Sequence, residues 1–66
     1  MNSATDHARA WRIRRGILRD LERRSRTAAT SGARARCARA HQIARHLNAD
    51  PSFWLSITSR DLERIA

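Results

Sequence analysis

One helical periodicity constrains the fold of this chain more than any other feature, and it covers residues 7–29. Five arginines recur there at spacings of three and four, which places them within an arc of roughly 80° on a helix. These residues, here called the arginine ridge, are Arg12, Arg15, Arg19, Arg23 and Arg26. The opposite side of the helix collects the apolar residues Ala10, Trp11, Ile13, Ile17, Leu18 and Leu21. The pattern predicts a long amphipathic helix with a core side and a cationic side.

The ends of this first helix are less sharply marked. Thr5 or Asp6 is expected to cap its start, which leaves residues 1–5 unordered, and its end is expected at 28–29. Gly16 lies in its middle, where glycine weakens a helix and permits a kink or a close approach. Asp20 to Arg24 and Glu22 to Arg26 have the spacing of stabilising acid-first pairs.

A second helix is predicted from Ala33 to Leu47, after a loop over residues 27–32. Its apolar stripe consists mostly of small side chains, namely Ala33, Cys37, Ala40, Ile43, Ala44 and Leu47. Because small side chains let two helices approach closely, we expect this helix to pack against the first.

The remaining chain predicts two short helices. Asn48 can end the second helix in the left-handed region, Asp50 can cap the next, and Pro51 suits a first helical position. That third helix should cover residues 51–57. Thr58 and Asp61 have the spacing of a capping box, which predicts a last helix through residue 64. No segment alternates with period two, so the fold class is predicted as all-α: one domain, residues 1–66, of three to four helices.

The charge balance limits the expected partners. The chain has 66 residues, with 14 arginines against 6 acidic residues and a net charge of +8. A domain this basic attracts polyanions, and nucleic acid is the usual one, with DNA favoured here over RNA. Because few large apolar residues are available for a core, we expect a homodimer or a larger protein partner. A membrane or a small-molecule substrate is not expected.

Cysteine usage and hydropathy indicate a compartment. Cys37 is the only cysteine, which excludes an intrachain disulfide and favours a reducing, intracellular, cytoplasmic setting. The longest run of bulky apolar residues, 53–55, is too short for a membrane span or the core of a signal peptide.

The stretch 41–59 resembles the helix-turn-helix of small bacterial and phage DNA-binding regulators. That pattern places apolar residues where this chain has Ile43, Ala44, Leu47, Ala49, Trp54 and Ile57. It also requires a small residue at Ala44, so that two helices can cross closely, and a cap at Asp50. Asn48 stands at the turn position that usually holds glycine. The resemblance implies a helix-turn-helix fold and a role in transcription regulation, with the helix from Pro51 near the DNA groove.

The candidate contacts with nucleic acid lie on three surfaces. The ridge would bind phosphates, and Arg34, His41 and Arg45 would extend the basic surface on the second helix. Ser52, Ser56 and Arg60 are the candidates for base contacts near the third helix. Phe53 and Leu55 are expected to point outward there, which favours a dimer or partner interface instead.

Cys37 and His41 raise two further chemistries, metal binding and catalysis. Cys37 and His41 are four residues apart, but a zinc site needs three or four ligands and no paired metal-binding spacing is present. The same two residues could act as nucleophile and base, but the chain provides no oxyanion hole, glycine loop or carboxylate pair to support catalysis. The chain is therefore expected to be neither an enzyme nor a cofactor or metal protein.

The sequence leaves three functions open. The first is a small, basic DNA-binding regulator or accessory factor that contacts phosphates through the ridge. The second is an interaction protein, such as a phage-encoded inhibitor, that docks through Phe53 and Leu55 on a larger nucleic-acid-processing complex and blocks it. The third is RNA binding by an arginine-rich helix.

Overall fold

Four helices account for the fold in the computed structural model, which describes residues 3–66, and the side chains from residue 5 onward. They are α1 (Ser3–Thr27), α2 (Ser31–His46), α3 (Pro51–Ser56) and α4 (Ser59–Ile65). The described part of the chain contains no strand, so the predicted all-α fold is confirmed.

The first helix begins earlier than the sequence predicted. Thr5 and Asp6 lie inside α1, so the prediction that either residue caps it is wrong. Asp6 instead contributes its negative charge to the first turn, where the helix dipole favours it. Of the segment expected to be unordered, residues 3–5 belong to α1, and residues 1 and 2 lie outside the described residues.

The second helix also begins earlier, because the residue that caps it was assigned to the loop. The Thr30 side chain accepts a hydrogen bond of 3.0 Å from the backbone N–H of Ala33. This N-cap satisfies one of the free N–H groups at the helix start, so α2 begins at Ser31 rather than Ala33. The connection from α1 therefore shortens to residues 28–30.

The turn after α2 differs from the predicted one. Leu47, at the C-cap, has extended backbone angles (φ −74°, ψ 122°). Since no non-glycine residue in the described range has a positive φ, Asn48 does not adopt the left-handed conformation that was predicted. Asp50 is the N-cap of α3 and Pro51 its first residue, as predicted, although the Asp50 side chain makes no capping hydrogen bond.

The packing order places α3 on the first helix. Helix α1 packs against α2 and α3, and α4 packs mainly against α2. No Cα of α2 comes within 8 Å of a Cα of α3. The close α2–α3 crossing expected from the small Ala44 is therefore absent, and Ala44 is buried without it. The membership of the helix-turn-helix family stays a prediction, but this feature of its geometry does not occur here.

The core is small and runs along the long α1–α2 contact. Its buried residues are Ala10, Ile17 and Leu21 of α1, Cys37, Ala40 and Ala44 of α2, Trp54 of α3 and Leu62 of α4. The alanines and the cysteine let the two long helices approach closely, which confirms the predicted packing of α2 on α1. The result is an elongated molecule of 44 × 17 × 16 Å.

Three aromatic and aliphatic side chains are placed differently from the prediction. Trp11, assigned to the apolar side of α1, is 59% exposed. Phe53 and Leu55, predicted to point outward, are half-buried and pack against the core. Phe53 meets the buried ring of Trp54 edge-on, with centroids 5.1 Å apart. This happens because α3 lies on α1 and turns most of its short surface toward the core.

Gly16 shows neither of the features that its position suggested. It lies within the continuous α1, and a Cβ built on it would meet no atom within 4 Å outside its own helix backbone. No close approach therefore explains this glycine.

Candidate nucleic-acid interface

The arginine ridge lies on the solvent side of α1. Its five arginines are all exposed, and they are centred about 180° around the helix from the buried Ala10, Ile17 and Leu21. The two-sided helix predicted from the sequence is thus present.

Acidic side chains of the same helix divide this ridge into two halves. Arg23 Nη2 lies 2.7 Å from Asp20 Oδ1, and Arg26 Nη1 lies 3.1 Å from Glu22 Oε1. The predicted pairs of Asp20 with Arg24 and Glu22 with Arg26 are confirmed. The C-terminal half of the ridge therefore already has its charge partly compensated within the molecule.

The N-terminal half of the ridge has no such compensation among the described residues. Arg12, Arg15 and Arg19 form no ion pair with any described residue. Arg9 is also exposed and unpaired in this sense, and it extends the row by one more turn. These four residues, here called the free arginine strip, cover about 15 Å at 1.5 Å per residue. Arg9 lies just outside the 80° arc of the ridge, so the helical periodicity did not include it.

Arg24 lies outside the ridge, is half-buried and connects α1 to α4. Its Nη1 lies 2.7 Å from Glu63 Oε2 of α4 and 3.3 Å from Asp20 Oδ2. The Glu63 side chain is only 14% exposed, so this ion pair compensates a largely buried carboxylate. Burial opposes the charged form of Arg24, but the two carboxylates raise its pKa above the ordinary value.

Asp20 joins α1 to α4. Burial acts to raise the pKa of its carboxyl group, but hydrogen bonds from Ser59, Arg24 and Arg23 outweigh burial and hold the pKa below its ordinary value. Asp20 is therefore ionised and connects α1 to the last helix. Because it also pairs with Arg23, the ridge is not free of ion pairs along its full length.

Cys37 is a buried thiol. Its Sγ lies 3.6 Å from Glu63 Oε1, and burial, together with the Glu63 charge and hydrogen bond, raises its pKa. The described residues contain no group of three or more His, Cys, Asp or Glu side chains placed to hold a metal ion. Cys37 thus acts as a small core residue.

Arg14 links α1, α2 and α3 at one end of the molecule. Its guanidinium carbon lies 5.3 Å from the ring centroid of Trp11 and 5.7 Å from that of Trp54. Its Nη2 donates a 3.1 Å hydrogen bond to the carbonyl oxygen of Arg45, near the C-terminus of α2. This arginine on the apolar side of α1 is therefore held by cation–π contacts and a helix-end carbonyl.

A pocket of about 360 Å³ opens beside these rings. It lies between the start of α1, the turn after α2 and α3, and is lined by His7, Ala10, Trp11, Arg14, Leu47, Asn48, Ala49, Pro51 and Trp54. Trp11 lies only about 40° around the helix from Arg15, at the border between the apolar side and the free arginine strip. That border position is the sequence signal that could have identified Trp11 as a surface residue.

The candidate contacts outside α1 are only partly available. The Arg34 guanidinium donates a 2.8 Å hydrogen bond to the Ala28 carbonyl oxygen, and both it and His41 are half-buried. Arg45 is exposed. Ser52 is exposed, but the Ser56 hydroxyl lies within hydrogen-bond distance of the carbonyl oxygens of Ser52 and Phe53.

Arg60 lies in a second basic region, which shares no lining residue with the pocket at the turn before α3. It lines an open depression with Arg24, Arg36, Glu63, Arg64 and Ala66 at the α2–α4 end. Arg36 and Arg64 come together only when α4 packs on α2, so the sequence pattern alone did not indicate them.

None of the helices formed by the described residues is long and apolar enough to cross a membrane. Comparison with protein-family models, with curated proteins and with solved structures finds no match to this chain.

Proposed function

We propose that this protein binds nucleic acid, DNA in preference to RNA, through phosphate contacts of the free arginine strip, and acts as a regulator or accessory factor of a DNA-dependent process. The observation that supports this proposal is the row of exposed, unpaired guanidinium groups opposite the core, Arg9, Arg12, Arg15 and Arg19. Like charges held in a row on a rigid helix repel one another, and a polyanion relieves that repulsion.

The dimensions of the strip fit a phosphate backbone. About 15 Å of helix is long enough to contact several successive phosphates of one strand. Arginine suits this contact because its planar guanidinium can bind two phosphate oxygens at once. The net charge of +8 adds a long-range attraction that speeds association.

The alternative, a docking protein that uses Phe53 and Leu55, has less support. Both side chains are half-buried against the core, so they do not form the exposed apolar pair that this function requires. The expected homodimer stays a prediction.

A charge-matched pair of variants tests the proposal. The R12Q/R15Q variant removes two unpaired charges, and the R23Q/R26Q variant removes two charges that already have carboxylate partners. Binding to labelled DNA is measured by fluorescence anisotropy at about 0.1 M salt. Losing two phosphate contacts should weaken binding roughly 25- to 60-fold, and R23Q/R26Q should weaken it less than about fivefold.

Two outcomes would contradict the proposal. Equal losses of DNA affinity in the two variants would mean that only the total charge matters. If the unmodified protein showed no measurable binding, the proposed function itself would be wrong. RNA of the same sequence serves as a competitor: tighter binding of RNA than of DNA would replace DNA by RNA as the ligand.

A further inference from the structure

The pocket beside Trp11 has the composition of a site for a planar, polar ring. Its lining residues include two tryptophans, Trp11 and Trp54, together with Arg14, His7 and Asn48. Aromatic faces and guanidinium planes stack on nucleobases, and an amide can both donate to and accept from a base edge. A volume of about 360 Å³ is ample for one base.

The exposure of Trp11 needs an explanation that packing does not provide. A tryptophan that is 59% exposed leaves a large apolar surface in water, while its neighbour Trp54 is only 4% exposed. Arg14 lies over the ring of Trp11, and more than half of the residue surface remains open to solvent. The ring thus offers an exposed surface on which a planar group can stack.

The pocket adjoins the free arginine strip through Trp11, which is one of its lining residues. Trp11 is one residue from Arg12 and one helical turn from Arg15, on the border facing the strip. A strand whose phosphates contact Arg12 and Arg15 therefore comes close to the Trp11 ring at the edge of the pocket. The positive charge around this edge favours a nucleic acid over a neutral apolar partner.

We infer that the pocket receives one unpaired base of the bound strand, which stacks on Trp11 while the free arginine strip holds the phosphates. A base inside a paired duplex is stacked on both sides and cannot enter. The ligand is accordingly single-stranded DNA, or a duplex with an unpaired end. This inference rests on the proposed phosphate binding, and it adds the form of nucleic acid that is bound.

The test compares a short thymidine strand with a strand of the same length that carries abasic sites. Stacking of one base contributes about 1–3 kcal/mol, so the protein should bind the thymidine strand roughly 5- to 150-fold more tightly. The W11A variant should lose this preference and keep its affinity for the abasic strand. W11F should keep part of the preference. I65A removes another exposed apolar side chain (Ile65, 65% exposed) and should leave the preference unchanged.

The outcomes separate this inference from the proposed function. Salt-dependent binding of both strands with equal affinity would overturn base stacking and leave phosphate binding intact. No binding of the abasic strand would overturn the phosphate contacts. If W11A instead changed the sedimentation coefficient and left the base preference unchanged, Trp11 would be a contact between copies of the chain. Circular dichroism of each variant confirms that its helices are present.

Discussion

At the scale of single residues, the partner of each arginine decides what that arginine does. Arg23 and Arg24 are sequence neighbours and both contact Asp20, but only Arg24 also reaches Glu63. The pairs three and four residues apart could be predicted, because helix geometry alone brings them together. The Arg24–Glu63 pair could not be predicted, because it depends on how α4 packs relative to α1.

The two neighbours should therefore differ in their effect on stability. Arg24→Ala leaves the largely buried Glu63 carboxylate without its ion pair, and we expect a loss of about 1–3 kcal/mol in the free energy of unfolding. Arg23→Ala removes a side chain that is 68% exposed and should cost less than about 1 kcal/mol. Urea unfolding of both variants measures the difference, and equal losses would contradict the structural role of Arg24.

Acid should weaken the fold through Asp20. Its pKa in the folded protein lies below the ordinary 3.8, so the unfolded chain takes up the proton at a higher pH. The stability that Asp20 contributes is fully present above that ordinary value and is lost as the pH falls through the lower, folded pKa. Melting temperatures measured from about pH 6 down to pH 2 should fall less steeply at the acid end for D20N than for the unmodified protein. Parallel curves would show that Asp20 does not anchor α4.

At the scale of the elements, hydrophobic periodicity indicates that a helix forms, and a capping side chain marks where α2 and α4 begin. The Thr58–Asp61 capping box was predicted and is confirmed: the Thr58 side chain accepts from the Asp61 N–H, and Asp61 accepts from the Thr58 N–H at 2.9 Å. The Thr30 cap was not predicted, because the stretch around it has weak helix propensity. The predicted loop therefore included Thr30 and the first residues of α2.

Thr58 should be worth more to stability than a nearby hydroxyl without a capping role. Thr58→Ala removes the N-cap of α4 and should cost about 1 kcal/mol, or roughly 4–8 °C in melting temperature for a domain of this size. Ser56→Ala is the matched control, because the exposed Ser56 hydroxyl only contacts carbonyl groups of its own helix. Its effect should stay within about 0.5 kcal/mol. A control as destabilising as Thr58→Ala would contradict the assignment.

Gly16→Ala should stabilise the protein. The position is helical, exposed and free of steric conflict, so the added methyl group reduces the entropy of the unfolded chain and improves helix propensity. We expect a gain of about 1 kcal/mol, seen as a higher melting temperature. A loss of stability would contradict the open surroundings of Gly16.

At the scale of the whole molecule, the sequence predicted the all-α class and the α1–α2 packing but not the position of α3. A six-residue helix has too short a pattern to specify its neighbour, and here the buried Trp54 determines the outcome by packing against α1. That placement half-buries Phe53 and Leu55, separates α3 from α2 and creates the pocket beside Trp11. The ridge was predicted from α1 alone, whereas the pocket required three separate segments.

The salt dependence of binding to single-stranded DNA tests the central claim most directly. If the four arginines of the free arginine strip each neutralise one phosphate, the logarithm of the binding constant should fall against the logarithm of salt concentration with a slope of about −2.8, at roughly −0.7 per contact. R12Q/R15Q should reduce that slope to about −1.4. A slope near zero, or one that R12Q/R15Q leaves unchanged, would contradict the account.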